Sequence, residues 1–213
     1  MKLKHCLLLI ILLPFMACSS EEDEIKNENE NSGLVLNFLG DSIIDCWSNL
    51  NIYFPEYDCY NYGWSGKGID TFLGKVNISS LKNTECVVEI GTNDMRKIIS
   101  AGKVDNYIEH YIDVLESLSA KRIYLLSLLP RNRAKDDGFD FNSHYPEINK
   151  KIQKRITERM NNVIYVPLYD RFLKDGQINW DYTNDGLHPN AQGYEVMAIT
   201  IREYLIKQEV KNK

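Results

Sequence analysis

Short apolar runs closed by turn formers alternate along this chain with stretches whose apolar residues recur at helical spacing. Leu34-Val35-Leu36-Asn37-Phe38-Leu39 reads as a buried parallel strand, ended abruptly by Gly40. Tyr57 to Asn61, Glu85 to Ile90, Arg122 to Leu128 and Asn162 to Val166 read as four further strands. Between and after them, helices are expected over 44–50, 70–76, 104–118, 146–159 and 190–206. Strands alternating with helices predict an α/β fold: one parallel five-stranded sheet, helices on both faces, right-handed crossovers. At 213 residues there is room for one such domain, expected over 34–213, and no internal repeat or second domain is needed.

The first 33 residues fall outside that pattern. Lys2 and Lys4 precede a leucine- and isoleucine-rich run from Cys6 to Phe15, and Met16-Ala17-Cys18 closes it. That is the layout of a secretory leader over 1–17, too short to span a bilayer as a stop-transfer helix. The cysteine at the cleavage point resembles a bacterial lipoprotein signal and makes Cys18 the expected lipidation site. Residues 18–33 are acidic and poor in apolar side chains, a composition that cannot bury enough surface to order itself, so a tether is expected there. An acidic stretch directly after such a cysteine resembles the surface-export signal of Bacteroidetes lipoproteins. The expected location is therefore the cell envelope, with the membrane as partner through the anchor; plain secretion with an unmodified Cys18 is the alternative.

Charge narrows the function classes. The whole chain carries −5; the two leader lysines contribute +2 and residues 19–33 contribute −5, so about −2 remains on the domain. No basic stripe is left for nucleic acid. Of the later cysteines, Cys86 sits in an apolar strand pattern and reads as core, Cys46 and Cys59 could pair, and none has metal-ligand spacing.

The distinctive polar residues each follow a predicted strand or lie in a late loop: Ser42, Gly66, Asn93, Asp185 and His188. In a parallel sheet those strand ends gather on one edge, where open α/β sheets hold their ligands. Gly63-Trp64-Ser65 is not a nucleophile elbow, because Lys67 stands where that motif needs glycine, and Gly63, Gly66 and Gly68 have the wrong spacing for a dinucleotide fingerprint. A serine hydroxyl needs a base to become a nucleophile, and that base needs an orienting carboxylate. His5 belongs to the leader and His110 sits mid-helix without an evident role. His188 has Asp185 three residues before it across Gly186, while His144, with Asp140 nearby, is the runner-up.

Four ordered blocks, Gly40-Asp41-Ser42-Ile43, Asn61-Tyr62-Gly63-Trp64-Ser65-Gly66, Gly91-Thr92-Asn93-Asp94 and Asp185-Gly186-Leu187-His188-Pro189-Asn190, resemble those of the SGNH (GDSL-type) hydrolase superfamily over roughly Leu34 to Arg202. Ser127-Leu128-Leu129-Pro130-Arg131 also resembles the platelet-activating-factor acetylhydrolase-like branch. The resemblance implies a flavodoxin-like α/β/α sandwich with Ser42 as nucleophile, His188 as base and Asp185 orienting it. The oxyanion donors it implies are the backbone N–H groups of Ser42 and Gly66 and the Asn93 side chain; Asp41, Trp64 and Asp94 are the candidate substrate contacts. It departs from many relatives at Lys67-Gly68-Ile69, which separate Gly66 from Asp70-Thr71. The chemistry implied is hydrolysis of a short-chain ester through an acyl-serine, with no metal or organic cofactor, by a monomer or weak dimer. Trp47, Tyr62, Trp64, Trp180 and Tyr182 are candidate sugar platforms or core residues, and together with the leader they favour carbohydrate deacetylation. A lysophospholipase or thioesterase is the enzyme alternative, and a glycan-binding domain without turnover is the non-enzyme one.

Overall fold

The computed structural model describes residues 33–211. The expectations for the leader, Cys18 and the tether up to residue 32 lie outside the described residues. Five strands form one parallel sheet: β1 (Val35–Gly40), β2 (Asp58–Gly63), β3 (Glu85–Glu89), β4 (Arg122–Leu126) and β5 (Val163–Val166), in the order β2-β1-β3-β4-β5. That is the flavodoxin-like order, whose direction reverses between β1 and β3.

Alternation along each strand loads both faces of the sheet. Leu36, Phe38, Val87, Tyr124 and Leu126 pack with α1 (Ser42–Asp45), α2 (Leu50–Tyr53) and α6 (Ala191–Lys211). Leu39, Cys86, Val88, Ile123 and Leu125 pack with α4 (Val104–Ser117) and α5 (Tyr145–Arg159). The three layers and the five strands agree with the sequence expectation, and the two long middle helices begin and end within a residue of it.

Three local departures have physical causes. The helix expected over 44–50 is two short turns, because Asn61 Nδ2 donates to the carbonyls of Ile44 (2.8 Å) and Trp47 (3.0 Å), and Asn49 takes a left-handed φ of 54° between the turns. The segment expected as a helix over 70–76 is a 3₁₀ turn, Phe72–Lys75. A short helix α3 (Met95–Ser100) and a two-residue hairpin, β6 (Leu173–Lys174) with β7 (Gln177–Ile178), carry too few periodic positions to be read in advance. Cys46 and Cys59 are both free thiols, so the bridge left open by the sequence is not formed.

Candidate active site

Gly40, Asp41 and Ser42 turn the chain from β1 into α1 at the reversal point of the sheet. Gly40 is obligatory here: a Cβ would stand 2.0 Å from the Glu89 carbonyl oxygen of the neighbouring strand. Asp41 caps the turn, its Oδ1 accepting from the Ile43 N–H at 3.0 Å. Ser42 is the first residue of α1 and only 9% exposed. Its Oγ lies 2.9 Å from His188 Nε2, and His188 Nδ1 lies 2.8 Å from Asp185 Oδ2. Residues 146 positions apart in the chain thus meet in one hydrogen-bonded row.

The loop that brings His188 there is built from its own short-range bonds. Asp185 Oδ1 accepts from the N–H groups of Leu187 (3.0 Å) and His188 (2.8 Å). Thr183 Oγ1 accepts from the Gly186 N–H (3.0 Å) and donates to the His188 carbonyl (2.8 Å). Gly186 has φ 76°, and a Cβ on it would meet the Asn132 carbonyl oxygen at 2.0 Å. Partial burial pushes the pKa of the Asp185 carboxyl up, but the His188 N–H, the His188 ring and the Leu187 N–H outweigh it and hold the group down at about 2. Asp185 is therefore ionised at neutral pH and orients Nδ1–H of the imidazole, leaving Nε2 to accept the Ser42 proton.

Opposite the imidazole, the loop after β2 is tied down at both ends. Ser65 donates from N–H (3.2 Å) and from Oγ to Asp45 Oδ2, and Asn93 Nδ2 donates to the Lys67 carbonyl at 2.9 Å. Among the described residues, neither the Ser42 N–H nor the Gly66 N–H donates to a protein acceptor, so both are open to a ligand oxygen. The Asn93 Nδ2 hydrogens face the Lys67 carbonyl and Asp41 Oδ2 (3.3 Å).

The candidate substrate contacts need correction. Asp41 is 0% exposed, so no ligand reaches it. Asp94 Oδ2 accepts from the Ile69 N–H and the Tyr107 hydroxyl, each at 2.9 Å, which makes it a clamp between the β2 loop and α4. Trp64 is half-buried against Gly74, with the Lys67 and Lys75 ammonium groups 4.3 and 5.4 Å from its ring centroid, so it is no bare stacking platform. Trp47 stacks on Tyr194 in the core at 5.0 Å. Tyr62 and Tyr182 are half-buried against the two cores, and Trp180, 52% exposed beside the Gly186 turn, is the exposed one of the five candidate platforms. His144 stacks on Phe139 rather than joining Asp140, and His110 pairs with Asp70 at 2.6 Å on the surface.

Two groups at the site were assigned no role from the sequence. Arg131, after β4, forms a buried ion pair with Asp136 and donates to Thr92 Oγ1 at 3.2 Å, bracing the Asn93 loop. Glu89 lies fully buried at the end of β3, and a charged residue inside an apolar strand run was its available signal. A polar hollow of about 520 Å³ adjoins the His188 loop, lined by Arg131, Asn132, Arg133, Phe139, Asn142 and Gln177 among others. The cavity of about 410 Å³ at the amino ends of the strands, lined by Leu34, Tyr57, Glu85 and Arg122 among others, contains none of the candidate residues.

Residues 38–196 match the model of the GDSL-like lipase/acylhydrolase family. No curated protein matches by sequence. Among solved structures, the chain is similar to a Streptococcus pneumonia protein provisionally assigned as a platelet activating factor (24% identity, 81% of this chain and 84% of that one, TM-score 0.65). It is also similar to a GDSL-like lipase from Bacteroides thetaiotaomicron (23%, 81% and 88%, 0.62) and to an acetyl xylan esterase (18%, 80% and 99%, 0.63). At these identities the likeness establishes the shared fold.

Proposed function

This chain belongs to the GDSL-like lipase/acylhydrolase family, and we propose that it acts as a serine esterase removing short acyl groups, acetyl first, from carbohydrate hydroxyls. The observation that carries the reading is the row Ser42 Oγ–His188 Nε2–Asp185, at 2.9 and 2.8 Å. His188 Nε2 takes the Ser42 proton as Oγ adds to the ester carbonyl carbon. The developing oxyanion takes hydrogen bonds from the Ser42 and Gly66 N–H groups and from Asn93 Nδ2, which exchanges the Lys67 carbonyl for it. Collapse releases the alcohol, which receives the proton from His188, and leaves an acyl-serine. Water then attacks the acyl carbon, His188 takes its proton and returns one to Ser42 Oγ, and the carboxylic acid departs. Asp185 stays ionised throughout and stabilises the imidazolium.

The acetyl and carbohydrate parts rest on the exposed Trp180 and the adjoining polar hollow, which suit a hydroxylated leaving group. The likeness to an acetyl xylan esterase points the same way. With Cys18 lipidated, the enzyme would work at the cell envelope; a Cys18→Ser chain that still partitions with membranes would remove that part. The direct test is hydrolysis of a short aryl ester: Ser42→Ala should abolish it with melting unchanged, and substantial remaining turnover would remove Ser42 from its role. A preference for octanoyl or longer esters over acetyl would overturn the acetylesterase choice.

A further inference from the structure

Glu89 is the buried group that the esterase reading leaves unused. It ends β3 in register with Gly40, and alternation along the strand puts it on the face of Val87, under the turn that carries Ser42. Its side chain is 0% exposed, and among the described residues no N–H or O–H donor reaches either Oε1 or Oε2. What lies against it is the carboxyl of Asp41, itself 0% exposed. Two ionised carboxylates sealed from water repel each other, whereas a single proton between them turns the same contact into a hydrogen bond. Asp41 has donors that hold its ionised form, the Ile43 N–H at 3.0 Å and Asn93 Nδ2 at 3.3 Å. Glu89 has none, so the proton belongs on Glu89.

We propose that Glu89 is a positioning residue: as a carboxylic acid it donates to Asp41, and Asp41, so held, fixes both the Ser42 turn and the Asn93 side chain. The kinetic half of this inference rests on the esterase reading of Ser42; the proton on Glu89 does not. The surrounding groups agree. Tyr107 and Tyr111 of α4, Tyr145 of α5 and Tyr194 of α6 feel the charge of Asp41 or Glu89, and burial raises all four above the ordinary phenol value. Asp94 adds negative charge beside Asp41, and Arg131 is the cation that opposes it. Burial accordingly pushes Asp41 up to about 7 and Glu89 well above the ordinary carboxylate value.

The test compares the wild type with Glu89→Gln and Glu89→Leu by melting temperature across roughly pH 5 to 9 and by kcat and KM on an aryl acetate. An acid raised in the folded state stabilises fully below its unfolded value of 4.5 and loses that stabilisation as pH rises through the folded value. The wild-type melting temperature should therefore fall as pH rises over that range, and Glu89→Gln, which donates without titrating, should fall less steeply. In kinetics, Glu89→Gln should keep kcat within about threefold, while Glu89→Leu, which fills the space without a donor, should lose about tenfold or more in kcat with KM little changed. Equal melting slopes in wild type and Glu89→Gln would overturn the proposal, as would Gln failing as badly as Leu. The melting comparison needs only the Gln variant and no turnover, so it decides the proton's place even where Leu does not fold or Ser42 proves not to be the nucleophile.

Discussion

Replacing Asp185 by Asn tests the row of side chains at its most sensitive point. In the native loop Oδ1 accepts two backbone N–H groups and Oδ2 faces His188 Nδ1 at 2.8 Å. Asn keeps one oxygen, and the backbone donors at 2.8 and 3.0 Å claim it. Its NH₂ then faces Nδ1 and stabilises the tautomer with hydrogen on Nε2, so the imidazole donates to Ser42 Oγ instead of accepting from it. A wrong tautomer in such a row lowers kcat by about 10³ to 10⁴, or about 4 to 5.5 kcal/mol in the barrier. The effect on folding is much smaller: weakened hydrogen bonds to a charged acceptor cost about 1 to 2 kcal/mol, a few degrees of melting temperature for a chain of this size. A second signature comes from proton linkage. Asp185 sits at about 2 against an ordinary 3.8, so it stabilises the fold above pH 4, and that stabilisation is lost as pH falls through 2. Its magnitude is about 1 kcal/mol after allowing for screening of a carboxylate 41% exposed. Steady-state hydrolysis of an aryl acetate, with melting curves from neutral to strongly acid pH, measures both. An Asp185→Asn protein retaining kcat within about tenfold of wild type would refute the orienting role.

Two further outcomes follow from the rim. Asn93→Ala removes one oxyanion donor and also frees the Lys67 carbonyl, so kcat should fall about 10²-fold with KM steady; a loss below about threefold would take Asn93 out of the oxyanion site. Trp180→Ala should raise KM for an acetylated oligosaccharide about tenfold while leaving aryl acetate kinetics unchanged, and equal effects on both substrates would end its role as a sugar platform.

The parallel sheet and the meeting of Ser42, Asp185 and His188 were legible because they depend on local signals. Apolar runs mark strands, glycines mark their ends, and strand ends of a parallel sheet share one edge. What the sequence hid depends on which way a side chain points. Trp64 and Trp47 have the same composition signal as Trp180, yet one is wedged between Gly74 and two lysines and the other stacks on Tyr194 in the core. Asp41 and Asp94 stand beside catalytic-type residues in the chain, but their oxygens are taken by Ile43, Ile69, Tyr107 and Asn93. Proximity in sequence to a reactive residue says little about which face of the turn a neighbour occupies.

Inward-facing hydrogen bonds also hold the geometry of the Ser42 turn. Ser42 sits on a helix of four residues, too short to be stable by itself. Its position is set instead from four sides: by the Asp41 cap, by Asn61 on the carbonyls of Ile44 and Trp47, by Asp45 holding Ser65, and by the Tyr194 hydroxyl on the Ile43 carbonyl at 2.9 Å. Three of these four constraints reach α1 from distant parts of the chain, from β2, the β2 loop and α6. A serine held this way keeps its Oγ aimed at His188 through contacts that α1 makes with the rest of the fold.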